Sequence, residues 1–191
     1  MDFAKVIQTA NRKAEARQVG KHTVTDTEVE ATILMIAEKH GYRASEQIVE
    51  PIRAYLEGYG IILSGDAGIG KTFLMKCLGA RLYATEQIIS YGLRDIHNWY
   101  EWTDGNNICI DDLGSERITA EYGAKEDLMK VVLAHRSERQ KGRTSITTNF
   151  NSDQITARYG ERTLSRILGM CKPFKLTGTS MRTPKPVPAG N

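Results

Sequence analysis

Gly65-Asp66-Ala67-Gly68-Ile69-Gly70-Lys71-Thr72 fits the pattern G-x-x-x-x-G-K-[ST] and stands between an apolar run and a helical pattern. A backbone that wraps a polyphosphate must turn successive N–H groups inward, which requires residues free to take positive φ. Gly65, Gly68 and Gly70 supply that freedom, with Asp66, Ala67 and Ile69 completing the loop. Lys71 then reaches the terminal phosphates. The helix opening there points its positive end at the same anion, and the Thr72 hydroxyl is placed to ligate Mg²⁺. Upstream, Gly60-Ile61-Ile62-Leu63-Ser64 reads as a strand buried on both faces of a parallel sheet. Downstream, Phe73, Leu74, Cys77, Leu78 and Leu82 share one helical face.

The rest of the chain is organised around that unit. Thr25-Asp26-Thr27-Glu28 is a capping box, Val24 and Val29 sit where a hydrophobic staple would, and Val29, Ile33, Ile36 and Ala37 form an apolar stripe that ends at Gly41. Residues 1–22 carry weaker helical character through Phe3, Val6, Ile7 and Ala10. Residues 46–58 read as a short helix with Pro51 in its first turn. Gln87 to Tyr91 reads as a strand, Leu93 to Trp102 as a helix and Asn107 to Asp111 as a strand. Ala124 to Arg139 follows as a helix and Ser145 to Thr148 as a strand ending at Asn149. Alternating strands and helices predict a parallel sheet covered on both faces. Thr183 to Asn191, rich in proline, reads as a disordered tail.

With 191 residues, 40% hydrophobic and 26% charged, the chain suits one globular domain with a short extension. No apolar run is long enough to span a bilayer and no signal-type stretch opens the sequence, so the expectation is a soluble cytoplasmic protein with no membrane partner. Cys77, Cys109 and Cys171 lack metal-ligand spacing and read as reduced structural thiols. Charge is uneven: residues 1–22 carry +3 and residues 162–191 carry +6 against a middle of −6. Basic ends on an acidic body suit either a polyanion contact or solvated arms.

Ile108-Cys109-Ile110-Asp111-Asp112 places two carboxylates at the C-terminal end of an apolar strand, the edge of a parallel sheet where ligands bind. One can hold Mg²⁺ and the other can orient or deprotonate an attacking water, which completes the requirements for phosphoanhydride hydrolysis.

Together with the phosphate loop, the blocks Ile110-Asp111-Asp112-Leu113-Gly114-Ser115-Glu116, Tyr122-Gly123, Thr147-Thr148-Asn149-Phe150 and Gly160-Glu161-Arg162-Thr163-Leu164-Ser165-Arg166-Ile167 resemble the AAA+ ATPases of the DnaC/IstB group, in the group's order. The resemblance covers residues 46–182. It implies an α/β P-loop NTPase (AAA+) core with a parallel five-stranded sheet between helices. Residues 1–45 are a short helical N-terminal extension, too small for a core of its own, which either packs on the main domain or waits for a partner, and residues 183–191 would form the tail. Only 15 residues follow Leu176, so no full C-terminal helical lid is expected, in keeping with the group. ATP and Mg²⁺ are the implied cofactors.

By the same resemblance Asp111 is the Mg²⁺-associated acid and Asp112 the water-activating residue. Asn149 is a polar sensor of the γ-phosphate; read without the resemblance, it is an ordinary strand-end turn residue rather than a sensor. Arg162 and Arg166 lie four apart on a short helix whose Leu164, Ile167 and Leu168 occupy the opposite face, so both guanidiniums are expected to point outward. The resemblance makes Arg166 the arginine finger lent to a neighbouring subunit's site, with Arg162 the alternative. Arg182 resembles the group's second sensor and reads equally as an exposed tail arginine.

The run from His135 to Arg143 is either a cationic helix end or a phosphate contact for single-stranded DNA, with Trp99, Tyr100 and Trp102 as base-stacking or core residues. The expected function is a self-associating ATPase that loads a replicative ring helicase onto single-stranded DNA. The alternative is an IstB-like transposition helper acting on duplex DNA. A small-molecule phosphoryl transferase would need an acceptor pocket and a mobile lid, for which no segment stands out.

Overall fold

A computed structural model describes residues 23–116, 123–139 and 141–181. Its centre is a sheet of five parallel strands: β1 (Gly60–Ser64), β2 (Leu82–Ala84), β3 (Ile108–Leu113), β4 (Thr144–Thr148) and β5 (Cys171–Lys175), in the order β2-β3-β4-β1-β5. The described helices are α1 (Asp26–His40), α2 (Val49–Leu56), α3 (Lys71–Cys77), α4 (Thr85–Thr103), α5 (Gly123–Arg139), α6 (Ser152–Tyr159) and α7 (Glu161–Met170). A 3-10 turn, Glu46–Ile48, leads into α2.

Alternation along the strands divides the core in two. Ile61 and Leu63 of β1 and Cys109 of β3 pack with Val29, Ile36, Ile52, Leu74 and Met75 from α1, α2 and α3. Ile62, Ile108, Ile110 and Ile146 pack with Ile88, Ile89, Met129, Val132, Ile155 and Ile167 from α4 to α7. Each fully buried aliphatic contributes about 1.5–3 kcal/mol, so two continuous layers fix the sheet between its helices. The capping box at Thr25 and Glu28 forms, Val24 and Val29 are buried, and Gly41 ends α1 in the left-handed region, φ 63°, as the sequence predicts. Because α1 shares its core with β1, residues 24–42 are part of this packed layer.

Three local expectations are corrected. Gln87 to Tyr91 is helical: Thr85, Ile88 and Ile89 are buried while Glu86, Gln87 and Ser90 are exposed, a helical rather than an alternating pattern. The adjacent strand is the short Leu82–Ala84, so Leu82 belongs to β2 and not to the face of α3, which ends before Gly79 at φ 71°. The single helix α4 absorbs the predicted helix and is interrupted at Asp95, φ −160° and ψ 93°. The edge strand β5 was hidden by composition, because Lys172, Pro173 and Lys175 break an apolar signal while suiting an edge that must not pair further.

The polar run from residue 135 to 143 is largely consumed by the fold. Arg136 is 3% exposed and donates to Thr144 Oγ1 and to the carbonyls of Thr103, Asn106, Lys141, Gly142 and Arg143. Burial pushes its pKa down, yet these oxygens hold the guanidinium. Arg143 covers the Tyr55 ring at 3.6 Å and donates to Tyr55 O. His135 stacks on Tyr100 at 3.7 Å and meets Asp104 Oδ1 at 3.0 Å. Arg139 and Lys141 remain exposed. The side chains of Trp99 and Trp102, the N-terminal segment 1–22, Tyr122 and the tail lie outside the described residues. Cys77, Cys109 and Cys171 are free and buried, and burial pushes the Cys171 thiol up to about 12, so they are inert thiols.

Candidate functional site

The order β3-β4-β1 brings the C-terminal ends of three strands together, and the phosphate loop leaves from the last of them. Gly65, Gly68 and Gly70 all take positive φ, at 139°, 86° and 95°. A Cβ at Gly65 would stand 2.2 Å from Leu176 O, so only glycine fits there.

Lys71 is 6% exposed, and its Nζ donates to Gly65 O at 2.7 Å, Asp66 O at 2.7 Å and Asn149 Oδ1 at 2.8 Å. Thr72 Oγ1 donates to Asp111 Oδ1 at 2.8 Å. Thr147 Oγ1 donates to the same carboxylate oxygen at 2.7 Å while accepting from the Asp112 N–H at 2.9 Å. Asn149 Nδ2 donates to Asp112 Oδ1 at 2.9 Å. Lys71, Asn149, Asp112, Thr147, Asp111 and Thr72 thus form a continuous chain of polar contacts whose two ends are sequence neighbours on the phosphate loop.

Two consecutive strand residues normally point to opposite faces. Here Ile110 pairs with Ile146 and Leu113 with Thr148, so β3 carries one residue more than β4 between those pairs. The extra residue is a bulge, and Asp112 takes the left-handed conformation, φ 58°. That turn lets both carboxylates serve one site.

Behind it, Glu116 is buried and anchors the strand end. It accepts from the Gly114 N–H, the Arg158 guanidinium and the Tyr159 hydroxyl, which ties the end of β3 to α6 beyond Asn149. Burial, and then the bond to Glu116, pushes the Tyr159 pKa up, so its proton stays in place.

Lys71, Thr72, Asp111, Asp112 and Asn149, with Gly68 and Gly70 of the loop, border a cavity of about 790 Å³. Beyond the loop and the acids, its walls include His40, Tyr42, Arg43, Phe73 and Met181, which sequence reading did not single out. Tyr42 stacks on Phe73 with ring centroids 5.7 Å apart, and Phe73 is 41% exposed. A flat aromatic wall beside a phosphate cradle suits a base. Thr147 was also missed as a site residue. The available signal was a central strand rich in hydroxyls, Thr144 to Thr148, since buried hydroxyls require partners.

The donor set fits a magnesium-bound polyphosphate. Glycine amides and an ammonium suit the anion, and the Thr72 hydroxyl touching the Asp111 carboxylate suits a hard cation. Arg166 lies away from the cavity, 22% exposed, with Nη2 3.0 Å from Glu138 Oε1 of α5. Arg162 is exposed on α7. Leu168, expected on the packed face, is instead 49% exposed, and the buried stripe of α7 is Thr163 and Ile167. Arg182 lies outside the described residues.

A parallel sheet of this order, with the phosphate loop after β1 and the acid pair ending β3, is the P-loop fold of AAA+ proteins. Its likeness extends to DnaC-type proteins. The chain is similar to the crystal structure of the DnaC helicase loader, with TM-score 0.51 and 20% identity over 82% of this chain and 93% of that one. It is similar as well to the crystal structure of DnaI, with TM-score 0.51 and 18% identity over 86% of this chain and 89% of that one. No protein-family model matches the sequence, and no curated protein matches it significantly.

Proposed function

We propose that this chain binds and hydrolyses MgATP and, assembled with copies of itself, loads a replicative ring helicase onto single-stranded DNA. The carrying observation is the polar chain in which Asn149 joins Lys71 to Asp112 across the end of the sheet. Its setting supports the reading: the fold is shared with a protein described as a helicase loader.

In this reading the loop amides bind the phosphates, and Lys71 exchanges uncharged oxygens for anionic ones, a gain in hydrogen-bond strength. Thr72 and Asp111 would hold Mg²⁺, which neutralises charge on the phosphates. Thr147 keeps the Asp111 carboxylate in place. Asn149 orients Asp112, whose carboxylate takes a proton from the attacking water. Tyr42 and Phe73 face the base. Arg166, or Arg162 in its place, completes the site of the adjacent subunit.

Lys71→Ala is expected to weaken ATP binding about a hundredfold, since charge-assisted bonds to phosphate contribute about 1.5–3 kcal/mol and part of the cradle's positive charge goes with them. Titration of a fluorescent ATP analogue measures this, and unchanged affinity would remove the loop assignment.

The function itself is tested by size-exclusion chromatography of the chain mixed with its host's ring helicase, with and without ATP. Co-elution strengthened by ATP is expected. Separate elution in both conditions overturns helicase loading, and ATP-dependent assembly on duplex in preference to single-stranded DNA would favour the transposition-helper alternative.

A further inference from the structure

After β5 the chain turns back along the phosphate loop. The Leu176 N–H donates to Ser64 O at 2.8 Å and the Met181 N–H to Gly68 O at 2.9 Å, so residues 176–181 form a strap over the loop. Between these anchors the Gln47 side chain grips the strap at Thr177. The Thr177 N–H donates to Gln47 Oε1 at 2.7 Å, Thr177 Oγ1 donates to the same oxygen at 3.0 Å, and Gln47 Nε2 donates to Thr177 O at 3.3 Å. The side-chain amide therefore pairs with a backbone residue much as a neighbouring strand would. Gln47 is exposed and belongs to the 3-10 turn before α2, so it has no part in the core.

The strap ends in the cavity wall. Met181, 49% exposed, borders the same cavity as Tyr42 and Phe73, and a Cβ placed on Gly70 would stand 3.4 Å from the Tyr42 ring and 3.6 Å from Met181 Sδ. Tyr42, Met181 and the loop thus meet at one point. Thioethers make favourable contacts with aromatic rings and adapt to their shape.

We propose that Gln47 is a positioning residue for the nucleotide base: by clamping Thr177 it holds Met181 in place as a wall of the base site beside Tyr42 and Phe73. The proposal rests on the nucleotide reading above and extends it to the base. Without the clamp the strap keeps its two backbone anchors but gains freedom through Gly178, whose φ is 146°. The base would then bind only the fraction of molecules with the strap docked, and apparent affinity falls by that fraction.

The test compares the full chain with Gln47→Ala and Gln47→Glu by calorimetric titration of ATP, ADP and inorganic tripolyphosphate. Gln47→Ala is expected to weaken ATP and ADP alike, about five- to tenfold for three solvent-exposed hydrogen bonds, with tripolyphosphate binding and turnover at saturating ATP unchanged. Gln47→Glu keeps an acceptor for the Thr177 N–H and hydroxyl and falls between the two. Wild-type affinity for ATP in Gln47→Ala overturns the clamp, as does an equal loss for tripolyphosphate, which would place the effect on the loop. A wild-type chain that binds none of the three ligands overturns the nucleotide reading and the clamp with it.

Discussion

Asp112→Asn is expected to bind ATP with near wild-type affinity and to hydrolyse it about a hundred- to a thousandfold more slowly, the range for removing a general base. The geometry makes this substitution unusually clean. Asparagine keeps the Oδ1 that accepts from Asn149 Nδ2 and leaves the backbone N–H bonded to Thr147. It also tolerates the left-handed backbone at φ 58°, where a β-branched residue would be strained. What is lost is the negative charge and the ability to accept a proton. Affinity by titration and turnover by phosphate release, measured on the same preparation with Mg²⁺, separate the two effects. Wild-type turnover would move the water-activating role elsewhere, with Asp111 the first candidate. Asp112→Ala is the informative contrast, because it removes the acceptor that holds Asn149 and is expected to disturb Lys71 through that residue.

The same bulge explains what could and could not be read in advance. The phosphate loop was legible because its chemistry is local: glycine, lysine and threonine at fixed spacing between a strand and a helix need no distant information. The acid pair was legible at a strand end, with both carboxylates expected at one site, and the backbone device that turns two consecutive strand residues to the same side was not. That depends on one extra residue in β3 relative to β4, a property of the pairing register between segments 35 residues apart. The base wall is hidden for a similar reason. Tyr42 closes the loop after α1 and Phe73 sits in the first turn of α3, and only the layer shared by α1 and β1 stacks them. Ile88 and Ile89 misled because a short apolar run suits a strand or one face of a helix. The buried Thr85 before them, bonded to Asp111 O, decides the matter in three dimensions.

Arg166→Ala is expected to leave ATP binding to the isolated chain nearly intact and to lower turnover in the assembled state by about a thousandfold, the scale of an arginine that stabilises phosphoryl-transfer charge. The substitution should not unfold α7. Its observed partner is Glu138, 70% exposed, and surface pairs of this kind contribute about 1 kcal/mol or less. For the same reason Glu138 offers little resistance when a neighbouring phosphate competes for the guanidinium. An action across a subunit boundary makes a sharper demand than loss of activity. Arg166→Ala retains its own phosphate loop, and Lys71→Ala retains its own arginine, so mixing the two inactive variants should restore part of the turnover at interfaces where a Lys71→Ala subunit serves an Arg166→Ala site. Titrating one variant into the other at constant total protein tests this directly. Recovery that rises and falls with the mixing ratio assigns Arg166 to its neighbour's site. A mixture as inactive as its parts would confine the arginine to its own chain, and a wild-type rate in Arg166→Ala alone would pass the role to Arg162, which stands one turn earlier on α7 with its side chain exposed.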